Sequence, residues 1–246
     1  MKTLFKKYLP TALLDIARTL RDALPLWVLT HKGRWIRRKY WQFGQDQRSY
    51  VFMSIARFLH INRPIPGYYF EFGCNEANTM RKAWDHFQHL FDFTYVGFDS
   101  FEGLPEIVEV DEQPIWEKGK LAFAEERFIK RVRRHGMPAD KLRTVRGFYD
   151  VSLTTELKDR LLPTKAAVIY IDCDLYMSTV PVLEWVIDFL QVGTVVVFDD
   201  WYCFHGDPQR GEQLAWNEFR QHHPELRFSE FVRTNEAASF VYLGRN

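Results

Sequence analysis

Two apolar runs in this chain end abruptly in carboxylates. Ala167-Val168-Ile169-Tyr170-Ile171 runs into Asp172-Cys173-Asp174, and Thr194-Val195-Val196-Val197-Phe198 runs into Asp199-Asp200. Continuous apolar runs rich in Val and Ile are the pattern of strands covered on both faces, which belong to parallel sheets. Ligands of such sheets sit beyond the carboxyl ends of the strands. Asp172, Asp174, Asp199 and Asp200 are therefore expected to converge at one functional edge.

The same patterning extends in both directions. Strands are predicted at Tyr68 to Gly73, Thr94 to Asp99, Leu142 to Gly147, Ala167 to Asp172 and Thr194 to Asp199. Helices are predicted at Glu76 to Phe91, about Lys120 to His135, Ser152 to Leu162, Thr179 to Leu190 and Glu212 to His222. Arg227 to Arg233 and Ser239 to Leu243 read as two closing strands. Alternation of this kind predicts an α/β fold, a doubly wound seven-stranded sheet that is mostly parallel with an antiparallel edge strand.

Upstream, residues 1–60 lack strand signals. Leu13, Leu14, Ala17, Leu20 and Leu24 recur at helical spacing, and a second helix is predicted from Asp46 to Leu59, placing Tyr50, Met53, Ile55 and Phe58 against the sheet. Pro64-Ile65-Pro66-Gly67 is a break. The division predicted is 1–60, a basic helical cap or dimerisation segment that could also touch a membrane surface, and 61–246, the ligand-binding domain.

Composition narrows the class. The chain has 246 residues, 46% of them hydrophobic, which suffices for one α/β domain with decoration. A net charge of +1 argues against a protein built mainly to bind nucleic acid. Cys74, Cys173 and Cys203 are scattered with no CxxC pair, so neither zinc nor a disulfide framework is expected and a reducing cytoplasm is the default. No apolar run reaches the roughly 18 residues of a membrane span. Lys2, Lys6 and Lys7 resemble a signal n-region, but Pro10, Asp15, Arg18 and Arg21 break the stretch that follows.

Candidate chemistry lies in the loops after the strands. Four neighbouring acids repel one another and raise each other's pKa, and a divalent cation is the usual remedy. A single Asp after a strand is often only a helix N-cap, but two acid clusters after two apolar runs are harder to read that way. Gly73 allows a ligand to approach the backbone ahead of a helix N-terminus. The G-x-G-x-x-G pattern is absent, which disfavours a pyrophosphate cradle. Asp99 ends the second strand, where an acid can bind the hydroxyls of a ribose. A nucleoside cofactor without a pyrophosphate, such as S-adenosylmethionine, fits that combination. His205 follows the acid pair, where a solvated loop histidine is the plainer reading.

Four stretches carry a family resemblance: Glu71-Phe72-Gly73, Phe98-Asp99-Ser100-Phe101-Glu102-Gly103-Leu104-Pro105, Ile171-Asp172-Cys173-Asp174-Leu175-Tyr176 and Phe198-Asp199-Asp200-Trp201. Together they resemble the macrocin O-methyltransferase family of class I methyltransferases. The resemblance implies a Rossmann-like fold, S-adenosylmethionine as donor, and Mg²⁺-assisted methylation of a hydroxyl, often on a sugar. It implies that Glu71, Gly73 and the neighbouring backbone at Cys74 hold the methionine part. Asp99 would hold the ribose with Ser100 beside it, Gly147 and Phe148 would lie by the adenine, and Asp172 would border the cofactor. Asp172, Asp199 and Asp200 match the metal-binding acids, and Asp174 matches the general base. Ala77 and Asn78 stand where the family carries further glycines, and the stretch Arg210 to Phe219 fits only in part.

The implied partner is a small-molecule acceptor containing carbohydrate, with a homodimer possible through the N-terminal helices. Two other readings stay open at this point. Asp172-Cys173-Asp174 is a D-x-D that could hold the metal and diphosphate of a nucleotide-sugar glycosyltransferase, and the fold could survive in a non-catalytic binding protein.

Overall fold

A computed structural model describes residues 34–246. The helix expected over Leu13 to Leu24 lies outside the described residues. Contacts divide the chain into two compact units, Met1–Asp46 and Gln47–Asn246. Helix α1, Arg34–Ile61, supplies all the described residues of the first unit and continues into the second. The part of the 1–60 segment from Gln47 onward thus belongs to the unit that carries the sheet.

Among the described residues one seven-stranded sheet has the order β3-β2-β1-β4-β5-β7-β6. The strands are β1 Tyr68–Phe72, β2 Thr94–Asp99, β3 Leu142–Arg146, β4 Ala166–Ile171, β5 Val195–Phe198, β6 Leu226–Arg233 and β7 Ala238–Arg245. Strands β1 to β5 are parallel, and β7 runs antiparallel to both of its neighbours, β5 and β6. The helices that cover the sheet are α2 Asn78–Phe87, α3 Glu125–Arg134, α4 Tyr149–Ser152, α5 Thr155–Leu161, α6 Tyr176–Val186 and α7 Gly211–His222. Strand order reverses between β1 and β4, so the loops leaving those two strands diverge and open a crevice between them.

The period of two along each strand sorts side chains to opposite faces. Phe70, Phe72, Phe98, Ile169, Ile171, Val196 and Phe198 share one core with Val182, Leu183 and Trp185 of α6 and with Trp216 and Phe219 of α7. Tyr69, Tyr95, Val168, Tyr170, Val195 and Val197 share the other with Val51, Phe52, Ile55, Ala56 and Leu59 of α1. These α1 positions recur at the spacing of a single helical stripe. The stripe corrects one expectation, because Tyr50 and Met53 lie off it and are exposed, while Ile55 is buried and Phe58 only packs at the margin.

The helix expected from Ser152 to Leu162 is α5, starting at Thr155, where the Thr154 hydroxyl caps it by accepting from Leu157 N at 3.2 Å; the short α4, ending at Ser152, precedes it. No helix among the described residues is long and apolar enough to cross a membrane.

Phe52 stacks on Tyr170 at 5.3 Å between centroids and meets Phe87 edge-on at 5.5 Å. Because Phe52 is fully buried, Phe52→Ala should lower stability by about 3–5 kcal/mol. Urea unfolding monitored by tryptophan fluorescence checks this, and a midpoint unchanged from wild type would show that α1 is not integral to the core.

Candidate active site

The crevice at the β1/β4 reversal begins with a glycine. Gly73 has φ +89°, and a Cβ added there would lie 1.8 Å from the Asp172 carbonyl oxygen. Only glycine lets the ends of β1 and β4 approach this closely. The loop continues through left-handed backbone at Asn75 and Ala77, with φ 35° and 63°. It is held down by Asp99 at the end of β2, whose Oδ2 accepts from Cys74 N at 2.7 Å and Asn75 N at 3.2 Å, and whose Oδ1 accepts from Phe101 N at 2.7 Å. Helix α2 then starts with no side-chain cap on its first amides.

Gly73, Cys74, Asn75 and Asp99 line a cavity of about 740 Å³ together with Ser100, Gly147, Phe148, Asp172, Asp174 and Asp200. Ser100 braces the following turn by donating to the Gly103 carbonyl at 2.8 Å. Of the cofactor, metal and base residues that the family resemblance implies, two lie outside the cavity wall. Glu71 alternates to the face opposite Phe70 and Phe72, where it is fully buried and accepts from the Tyr69 hydroxyl at 2.7 Å. Burial pushes its carboxyl well above the usual range, against the Tyr69 hydrogen bond, which lowers it. Asp199 is the second, covered by Arg48 and Tyr170.

The acids after β4 and β5 do converge. Asp172, Asp199 and Asp200 each present an oxygen, and these oxygens all lie within 4.8 Å of one another. Asp199 takes most of the available donors. Arg48 Nε reaches its two oxygens at 3.1 and 3.0 Å, Arg48 Nη2 adds a further bond to Oδ2, and the Tyr170 hydroxyl donates to Oδ1. Asp172 Oδ2 accepts only a long 3.5 Å bond from Thr79 Oγ1. Asp200 Oδ2 is buried and receives no hydrogen bond from the protein.

Charge crowding shows in the acidities. Burial and then the Asp199 charge hold Asp172 well above its ordinary value, and burial and then Asp174 do the same to Asp200. Burial, reinforced by Asp172, pushes Asp174 up to about 7. The backbone at Asp174 is left-handed, with φ 63°. Arg48 responds in the opposite sense: burial alone would lower its pKa, but Asp199 and Asp172 raise it far above the usual value.

Sequence reasoning missed the supports of this cluster. Arg48 lies three and four residues before Val51 and Phe52, on the buried stripe of α1, and a cation at such a phase was the available signal. Glu212 is buried at the start of α7, where its Oε2 accepts from Asp200 N at 3.1 Å. Asp111, from the long loop after β2, caps α6 by accepting from Tyr176 N at 2.7 Å and Met177 N at 3.0 Å. His205 is exposed in left-handed backbone. Burial pushes the Cys74 and Cys173 thiols well up, which makes both poor nucleophiles.

The sequence profile of macrocin O-methyltransferases matches residues 61–226. The chain belongs to the macrocin O-methyltransferase family. No curated protein matches it in sequence. Among solved structures it is similar to CalS11, a calicheamicin methyltransferase, at 21% identity over 93% of this chain and 90% of that one, with a TM-score of 0.66. A second structure of CalS11, with a TM-score of 0.56 at 18% identity over 89% of this chain and 87% of that one, describes it as a TDP-rhamnose 3′-O-methyltransferase. The O-methyltransferase NovP is similar at 21% identity over 80% of each chain, with a TM-score of 0.62. TomG from Streptomyces achromogenes, an O-methyltransferase in complex with SAM, matches at 14% identity over 79% of this chain and 80% of that one, with a TM-score of 0.51. These likenesses agree on a Rossmann-like fold. Membership of the macrocin O-methyltransferase family disfavours the glycosyltransferase reading of Asp172-Cys173-Asp174.

In this macrocin O-methyltransferase family member the Gly73 turn is the tightest point of the crevice. Gly73→Ala should lower the melting temperature and force the β1 and β4 ends apart. Differential scanning calorimetry with hydrogen exchange of the Asp172 amide, which donates to Phe72 O at 2.8 Å, reads both effects. Unchanged melting and exchange would contradict the close-approach argument.

Proposed function

We propose that this protein is an S-adenosylmethionine-dependent O-methyltransferase that uses a divalent cation, Mg²⁺, to methylate a hydroxyl of a sugar or glycosylated small molecule. The observation that carries the reading is that the Gly73–Asp99 cradle and the carboxylates of Asp172, Asp174 and Asp200 open onto one cavity.

The residues suit both groups. Gly73 leaves the backbone open to a ligand where a side chain would close it. Asp99, Gly147 and Phe148 line the same wall, and Asp99 keeps acceptor capacity beyond its three amide bonds. S-adenosylmethionine supplies a methyl group already activated on sulfur. The acid set offers hard oxygen donors, as Mg²⁺ requires, and the unpartnered Asp200 Oδ2 is the orphan that a cation would satisfy. Bound by these acids, Mg²⁺ lowers the cost of forming an alkoxide on an acceptor hydroxyl.

The chain's own side chains do the rest. Asp99 and the Gly147-Phe148 turn orient the donor. Asp174, on the cavity wall, takes the acceptor proton; its pKa of about 7 suits a base that must be free near neutrality and still bind a proton in the transition state. Leu104, Pro105, Val108 and Trp116 line the outer part of the cavity with apolar and aromatic surface. Such surface suits the faces of a sugar ring or a glycosylated aglycone. That CalS11 is described as a sugar O-methyltransferase supports the same acceptor class.

S-adenosylhomocysteine should raise the melting temperature of the protein, and UDP should not; the reverse result would overturn the reading. Asp174→Asn should lower methyl transfer by roughly 10²–10⁴-fold on an acceptor found by labelled S-adenosylmethionine in metabolite extracts. Asp174 works unprotonated and its pKa is raised, so the rate should rise with pH through a limb at or below about 7 and level off above it. Asp174→Asn should erase that limb, and an unaltered pH profile in the variant would remove Asp174 from the role of base.

A further inference from the structure

Arg48 sits between the cavity and the third carboxylate of the acid set. Its side chain lines the cavity, whereas Asp199 does not. The guanidinium is 24% exposed and the Asp199 carboxylate 3%. Both oxygens of Asp199 are engaged, Oδ1 by Arg48 Nε and the Tyr170 hydroxyl, Oδ2 by Arg48 Nε and Nη2. Asp172 and Asp200 face the cavity with weak or missing donors, yet an oxygen of each lies within 4.8 Å of one on Asp199. A cation entering from the cavity meets Asp172 and Asp200 first. The third acid, Asp199, has both oxygens bound by Arg48, which itself lines the cavity.

We infer that Arg48 is the resident counter-ion of the acid set and that divalent cation loading is an exchange, in which Arg48 releases Asp199 as the cation takes it. This rests on the metal-assisted reading above and adds to it a positioning residue contributed by α1. A buried carboxylate stripped of its partner is strongly destabilising, so in the cation-free protein the arginine holds Asp199 in place. Two cations cannot share these oxygens at close range without like-charge repulsion, so the two occupants compete. The bidentate fork makes Arg48 a stronger competitor than a lysine would be.

Mn²⁺ binding to the full-length protein tests the exchange, measured by titration calorimetry and by melting temperature with and without Mn²⁺. Arg48→Gln should bind Mn²⁺ at least about tenfold more tightly than wild type. It should also melt lower than wild type without the ion and recover more on adding it. Asp199→Asn in the Arg48→Gln background should abolish the gain. An arginine that merely holds the fold would give equal or weaker binding in Arg48→Gln, and that result would overturn the inference while leaving the metal reading intact. Should neither wild type nor Arg48→Gln bind Mn²⁺, the metal reading fails and the exchange with it. If Arg48→Gln does not fold, Arg48→Lys keeps the charge but not the fork; it should bind Mn²⁺ more tightly than wild type by a smaller factor, and equal affinity would again overturn the exchange.

Discussion

Carboxylates packed at the ends of two adjacent parallel strands repel one another, and the site is arranged around that repulsion. Two like charges about 4 Å apart cost roughly 4 kcal/mol at the effective dielectric near a protein surface. Asp172, Asp199 and Asp200 each have an oxygen within 4.8 Å of the others, and the Asp172 charge acts on Asp174. The fold meets the cost in two ways: Arg48 neutralises Asp199, and protonation is favoured at Asp172 and Asp200. Glu212 adds to the crowding, since burial and then the Asp200 charge hold its carboxyl well above the usual range. Because Arg48 comes from α1, the charge balance of the site depends on that helix staying seated on Tyr170 and Tyr69 through Phe52.

The reversal of strand order between β1 and β4 explains why two unrelated tasks meet in one cavity. On the β1–β2–β3 side, the chain offers the turns at Gly73 and Gly147 and the strand-end acid Asp99. On the β4–β5 side it offers the acid cluster. Gly73 against the Asp172 carbonyl is the seam between them. On the proposed function, a donor held on the first side would thereby sit beside an acceptor held on the second, without either side supplying both sets of contacts.

What was legible in the sequence follows from the range of the forces involved. Strand existence and order of appearance depend on local periodicity, so β1 to β5 and the acids at their ends could be read from runs such as Ala167 to Asp172. Gly73 and Asp99 could be read because a turn and a strand end leave local marks. Partner identity could not. Arg48 and Asp199 are 151 residues apart, and only the fold brings them together. Glu71 looked like a cavity residue because it adjoins Gly73, but strand alternation turns it to the opposite face from Phe72, onto Tyr69. The phase of α1 was misjudged because Tyr50 and Met53 are as apolar as the residues that do pack, and burial distinguishes them where hydropathy does not.

On the proposed function, the long loop after β2 separates recognition of the acceptor from the rest of the site. It carries Leu104, Pro105, Val108 and Trp116 to the cavity, yet little of it enters the two main cores. Its hold is local and polar. Leu104 N donates to the Lys120 carbonyl and Gly119 N to the Leu104 carbonyl, Asp111 caps α6, and Arg210 donates to the carbonyls of Val110 and Glu112. Beneath it lies an apolar cluster of Leu104, Leu175 and Phe204 with Ile107 and Trp116 packed against it, while Phe101 and Phe123 at its ends join a main core. Side chains between these anchors can change without disturbing the sheet, the Gly73 seam or the acid set, because none of those rests on them. On the proposed function, acceptor choice therefore belongs to a segment whose conformation is fixed at its anchors, and donor binding to one whose backbone is constrained at Gly73.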